Sequence, residues 1–186
     1  LEVLFSNLAR ERKTEHKKLV RNLTSQKVLT ILREWESFLY SEDPQPDSNN
    51  GQVPVLELAQ SFIYKKFKRI IKDGNRITDE TPDEHVHQLR IECKKLRYLL
   101  EFFTSLFPDD DMQILIKQLK RLQDNLGDFN DYCMQQESLN ESLTHVSGNT
   151  KNYISFSAAL GGLIAGLYEK QKNTRLEFSQ KFIEFS

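Results

Sequence analysis

The stretch His87-Gln-Leu-Arg90-Ile-Glu-Cys-Lys94-Lys-Leu-Arg97-Tyr98-Leu-Leu-Glu101-Phe-Phe103 constrains the fold more than any other part of the chain. At about 100° per residue, Leu89, Cys93, Leu96, Leu100 and Phe103 fall on one narrow apolar stripe, which demands a helix packed on a core. His87, Arg90, Lys94 and Arg97 share an adjacent arc about a quarter-turn wide, so a ladder of cations is held in line beside that core. Like charges three and four positions apart repel by a few tenths of a kcal/mol per pair, roughly. Glu101 lies on the same arc and can answer Arg97 or Lys94, but one carboxylate does not neutralise the ladder. The ladder alone leaves two readings open: a solvated basic face, or a site for a polyanion.

Composition favours helices elsewhere too. With 38% hydrophobic and 28% charged residues but only 7 Gly and 5 Pro in 186 residues, the chain suits an all-helical protein better than a sandwich or a disordered polymer. Its formal net charge of −1 argues against indiscriminate attraction to nucleic acid or anionic membrane. Basic residues nonetheless cluster in Arg10 to Lys27, Lys65 to Arg76, Arg90 to Arg97 and Lys117 to Arg121, and acids in the segments between, which suits a local basic cavity with an acidic exterior. Cys93 and Cys133 lack metal-ligand spacing and are expected as reduced thiols of a cytoplasmic protein. The most apolar run, Tyr153 to Tyr168, is too short to span a bilayer comfortably and predicts a buried helix.

The pattern His-x-Leu-Arg-Ile-x-x-Lys-Lys-Leu-Arg-Tyr-x-x-Glu-x-Phe from His87 to Phe103 resembles the signature helix of the CHAD family, the conserved histidine α-helical domain. The later Leu119-Lys120-Arg-Leu-Gln-Asp124-Asn-Leu-Gly127-Asp-Phe-Asn-Asp131 is similar to the segment that follows it in that family. The resemblance implies an all-α fold of two four-helix halves around a basic channel that binds inorganic polyphosphate without catalysis. The family carries two His-x-x-Arg helices and this chain has one, so the second half is expected complete and the first partial, its signature helix lying N-terminal to Leu1.

In chain order, apolar positions from Val3 to Tyr40 predict one bent helix or two, breaking near Thr24-Ser25, with Leu8, Leu19, Leu23, Leu29, Leu32, Trp35 and Leu39 as core. Arg12 and His16 fall on the line of Phe5, Leu8, Leu19 and Leu23; the resemblance makes this face channel-lining rather than an edge where they merely snorkel. The expected organisation is a partial first half at 1–41, a mobile linker at 42–53 rich in turn formers, and a helical bundle at 54–186. Pro54 suits the first turn of a helix that Gly74 stops, packed through Phe62, Ile63, Phe67, Ile70 and Ile71, with Lys66 and Arg69 beside that face. Thr81-Pro82-Asp83-Glu84 predicts a hydroxyl cap for the signature helix, which should end near Phe107-Pro108. Asp109 to Asp111 open the next helix, with Ile114, Leu115, Leu119, Leu122 and Leu126 buried, and Gly127 ends it. A further helix covers 128–145, a turn follows at Gly148-Asn149, and a final helix covers 152–184, in which Gly162 and Gly166 should admit a close neighbour. Lys170 and Arg175 could reach a central ligand if that helix closes the bundle.

The candidate polyphosphate-binding set is His87, Arg90, Lys94, Arg97, Lys120, Arg12, His16, Lys66 and Arg69. Phosphate loops, dinucleotide fingerprints and nucleophile elbows are absent from the sequence, so no catalytic residue, cofactor or metal is assigned. Asp124, Asp128 and Asp131 are read as caps of the expected break in preference to ligands of a divalent cation, and the resemblance implies that Asp124 and Asp131 are scaffold acids orienting cations such as Arg90 or Lys120. The expected partner is inorganic polyphosphate, with a polyphosphate-metabolising enzyme or polyphosphate granules as further associations; membrane and nucleic acid are disfavoured. Two alternatives stay open: a regulatory or catalytic domain of a metal-dependent phosphate-ester enzyme, and a helical scaffold for RNA or a protein.

Overall fold

The computed structural model describes residues 2–41, 50–144 and 153–186. They form six α-helices and one short 3-10 turn, with no strand among the described residues. The chain divides into two compact units, Leu1–Gln52 and Val53–Ser186. The loop expected at 42–53 and the turn expected at Gly148-Asn149 lie wholly or largely outside the described residues.

The first unit holds α1 (Glu2–Leu23) and α2 (Gln26–Leu39). The expected break falls between them, where the Ser25 hydroxyl accepts a hydrogen bond from the Val28 N–H and caps α2. Their expected core does not form. Leu8, Leu19, Leu23, Leu29, Leu32, Trp35 and Leu39 are all exposed, and α2 buries no residue. An apolar stripe is buried only against a facing partner, and two helices in succession do not enclose one.

The second unit is an antiparallel bundle of α3 (Val55–Gly74), α4 (Asp83–Phe102), α5 (Asp109–Thr144) and α6 (Tyr153–Phe185). Successive helices pack on one another, and α6 returns to α3 through the Phe67–Phe185 ring pair, 5.6 Å between centroids. Gly74, expected only to stop α3, is its last residue and is buried under the Phe182 ring, where a Cβ would clash. The core runs through Ile70, Val86, Leu89, Cys93, Leu96, Leu100, Leu119, Leu122, Leu126, Phe129, Phe178 and Phe182. Phe62, Ile114 and Leu115, expected inside, are exposed: Phe62 and Ile114 lie off the buried stripes of their helices, and Leu115 lines an open apolar pocket with Leu96, Leu100, Phe107 and Phe185.

Four local expectations change. The Thr81 hydroxyl does not cap α4; it accepts from the Thr78 N–H at 2.8 Å and closes the preceding turn, leaving Pro82 as the cap. The helix stops at Phe102 and a 3-10 turn at Thr104–Leu106 leads on to α5. Helix α5 does not end at Gly127 but runs through it for 36 residues. An interior glycine costs about 1 kcal/mol relative to alanine, less than the burial gained by continuing the stripe from Leu122 and Leu126 to Phe129. On α6, Gly161, Gly162 and Gly166 have nothing within 4 Å of where a Cβ would stand, so the expected tight packing at Gly162 and Gly166 is absent. No described helix is long and apolar enough to cross a membrane.

Candidate functional site

Helix α4 presents its two flanks to different surroundings. Three side-chain bonds set how it lies along α5: the Cys133 thiol donates to the Asp83 carboxylate at 3.6 Å, His87 Nδ1 meets Asn130 Oδ1 at 2.6 Å, and Gln123 Nε2 donates to the Cys93 carbonyl at 2.7 Å. These contacts define an antiparallel register in which Arg90 stands level with about Gly127, and Arg97 with about Lys120. On α5, Lys120, Gly127 and Asn130 share the flank next to α4 and away from the side that packs on α6. His87, Arg90, Lys94 and Arg97 on one wall and Lys120 on the other therefore border a single groove on the outside of the core.

The groove is electrostatically unsettled. Among the described residues, Arg90, Lys94 and Lys120 belong to no ion pair, while Arg97 faces Glu101 at 3.6 Å. Arg90, Lys94 and Arg97 are half-buried, as long side chains are whose stems lie along apolar surface. The Asn130 carbonyl accepts from Nδ1–H of His87, which fixes the tautomer and leaves Nε2 as the ring nitrogen open to a second partner. In the neutral ring Nε2 is an acceptor, so donation to an oxyanion there requires a second proton.

The opposite flank of α4 is settled. Glu92, with its side chain only 8% exposed, receives Lys66 of α3 at 2.6 Å and Lys95 at 3.1 Å, and Arg69 stands 3.9 Å away. Burial pushes the Glu92 carboxyl up, but the hydrogen bonds from Lys66 and Lys95 and the charges of Lys66 and Arg69 outweigh it and hold the group below its ordinary value of 4.5. Lys66 and Arg69 were expected in the ladder's site. The structure separates them from it, because α3 packs against the other side of α4 and its cations are taken by Glu92 and, for Arg69, by Asp73 at 3.6 Å.

The remaining candidates divide as follows. Arg12 and His16 are exposed on α1 in the first unit. Arg175 does not reach a central ligand; it binds Asp83 at 3.3 Å and the Thr81 carbonyl and lies over Phe129, tying α6 to the start of α4. Lys170 sits over the Tyr132 ring. Asp124, Asp128 and Asp131 are exposed and form no ion pair with Arg90 or Lys120; with α5 unbroken there is no break for them to cap. No group of metal-ligating side chains occurs among the described residues. Burial raises both thiols to about 12, the Asp83 carboxylate adding to the effect at Cys133, so neither is a ready nucleophile.

A sequence model of the CHAD domain matches residues 1–140. The chain belongs to the CHAD family. CHAD domains are known for binding polyphosphate. The match covers α1 to most of α5, including both the signature helix and the Lys120 segment, and leaves α6 outside it. No curated protein sequence matches the chain. Within this CHAD chain, sequence reasoning missed Asn130 as the partner of His87 and Glu92 as the sink for Lys66. Periodicity places a residue on a face, but it carries no information about which residue of another helix will stand opposite.

Proposed function

We propose that this chain binds inorganic polyphosphate, without catalysis, along the groove between α4 and α5, with His87, Arg90, Lys94 and Lys120 as its principal contacts and Arg97 at one end. The observation that carries the reading is the contrast in pairing: Lys66, Arg69 and Lys95 beside Glu92 each face its carboxylate, whereas Arg90, Lys94 and Lys120 form no ion pair among the described residues. At 1.5 Å per residue, roughly, Arg90 and Lys94 are about 6 Å apart along the axis, a spacing suited to successive groups of a flexible polyanion. Arg offers a planar fork to phosphate oxygens and Lys a point charge, and each phosphate neutralised releases counterions. We place Arg12 and His16 of the first unit as further anion-binding cations, and the protein in the cytoplasm, where it would bring a bound enzyme or itself to polyphosphate granules.

The enzymatic alternative is weakened by thiols held at about 12 and by acids that stand apart on the outside of α5. Incubation with polyphosphate or ATP and Mg²⁺ or Mn²⁺ should release no phosphate; turnover lost in Asp124→Asn or Asp131→Asn would reverse that assignment. The binding function is tested by titrating long-chain polyphosphate, ATP, RNA and double-stranded DNA at one ionic strength. Polyphosphate should bind tightest, and equal affinity for all four would reduce the groove to non-specific attraction.

A further inference from the structure

Glu101 stands one turn beyond Arg97 on the ladder's own arc, and its effect on Arg97 sets that residue apart from the other cations of the groove. The Arg97 Nε lies 3.6 Å from Glu101 Oε1, too far for a hydrogen bond, and is buried with no hydrogen-bond partner among the described residues. The guanidinium is laid over the Tyr98 ring, 5.4 Å from its centroid. Arg97 is thus held side-on by a carboxylate and an aromatic face, while Arg90 and Lys94 behind it and Lys120 level with it belong to no ion pair among the described residues. We propose that Glu101 is a built-in competitor that holds Arg97 in reserve and closes the polyanion path at that end of α4, so that the path leaves α4 at Lys94 and crosses to Lys120 on α5. This rests on the polyanion reading of the groove and concerns how that site is bounded.

An anion reaching Arg97 must displace the Glu101 carboxylate and draw the guanidinium away from Tyr98. At Lys120 no ion pair among the described residues has to be broken. Arg97→Ala should therefore weaken binding less than Lys120→Ala, although arginine is ordinarily the better phosphate ligand. Neutralising the competitor should release Arg97 to the ligand. Glu101 is half-exposed and on the surface of α4, so Glu101→Gln leaves the core untouched.

The experiment is a double-mutant cycle on the full chain with long-chain polyphosphate at one salt concentration: the unmodified protein, Glu101→Gln, Arg97→Ala and the pair. Glu101→Gln should tighten binding about two- to fivefold, the scale of relieving one exposed ion pair. In the Arg97→Ala background the same change should do almost nothing. An equal gain in both backgrounds would assign Glu101 only long-range repulsion and overturn the proposal, as would no gain in either. If none of the four proteins prefers polyphosphate to double-stranded DNA, the reading of the groove itself falls, and this inference with it.

Discussion

The two flanks of α4 are built from the same residue types and come to opposite ends. On one, Lys66, Arg69 and Lys95 converge on a buried Glu92 and become part of the packing. On the other, Arg90 and Lys94 run beside Lys120 of α5 and belong to no ion pair among the described residues, while Glu101 faces only the last rung, Arg97. The difference is a matter of one buried carboxylate. Where it is present, cations hold α3 to α4; where it is absent, the electrostatic repulsion between neighbouring cations persists and is available to be relieved by an anion. A count of basic residues would have joined the two sets, whereas their partners separate them.

That contrast can be broken at its most expensive point. Glu92→Gln should destabilise the fold by about 2 kcal/mol in urea denaturation, since it leaves Lys66 facing a neutral amide in a largely buried place, and should leave polyphosphate affinity little changed. The pH dependence has a definite sign. A carboxyl held below its ordinary 4.5 contributes stability above that value and gives it up as pH falls through the folded-state pKa. The gap between the unmodified protein and Glu92→Gln should thus be full at neutral pH and shrink below about pH 4.5; a gap that widens in acid would mean that Glu92 is not held ionised by its neighbours.

Next in size come the unpaired rungs. Arg90→Ala and Lys94→Ala should each weaken polyphosphate binding by about 1–2 kcal/mol, measured by calorimetry with helicity checked by circular dichroism. His87→Ala should cost less, because with Nδ1–H committed to Asn130 the neutral ring offers phosphate no further donor. A cost as large as that of Arg90→Ala would rank His87 with the arginine as a contact. Smallest of all, Arg69→Ala should change affinity by under about 0.5 kcal/mol, since its side chain is 63% exposed and already faces two carboxylates.

Much of this was legible in the residues, for reasons that are local. The stripe of Leu89, Cys93, Leu96 and Leu100 is buried as its spacing requires, and the same helical period that placed it aligned the ladder beside it. The break at Thr24-Ser25 follows from a hydroxyl cap. What periodicity could not supply was anything decided between helices. Gly127 reads as a stop, but the packing of Leu126 and Phe129 on either side overrides it. Thr81 reads as a cap, but a nearer N–H at Thr78 takes its oxygen. Lys66 and Arg69 read as companions of the ladder, and only the position of α3, 26 residues away in sequence at the Lys66–Glu92 bond, assigns them elsewhere. The apolar face of α2 shows the limit of the method most plainly: its pattern is as regular as that of α4, yet none of it is buried.

The central claim is that pairing, rather than charge, decides which cations serve the anion. The most direct measurement compares polyphosphate affinity in two double variants of equal charge change, Arg90→Ala with Lys94→Ala against Lys66→Met with Arg69→Ala, at one ionic strength and on protein shown to be folded. The first pair should lose at least tenfold and the second less than about twofold, the expected contrast between direct charge-assisted contacts and distant screened charges. Equal losses in the two would contradict it and make the groove between α4 and α5 no different from the rest of the basic surface.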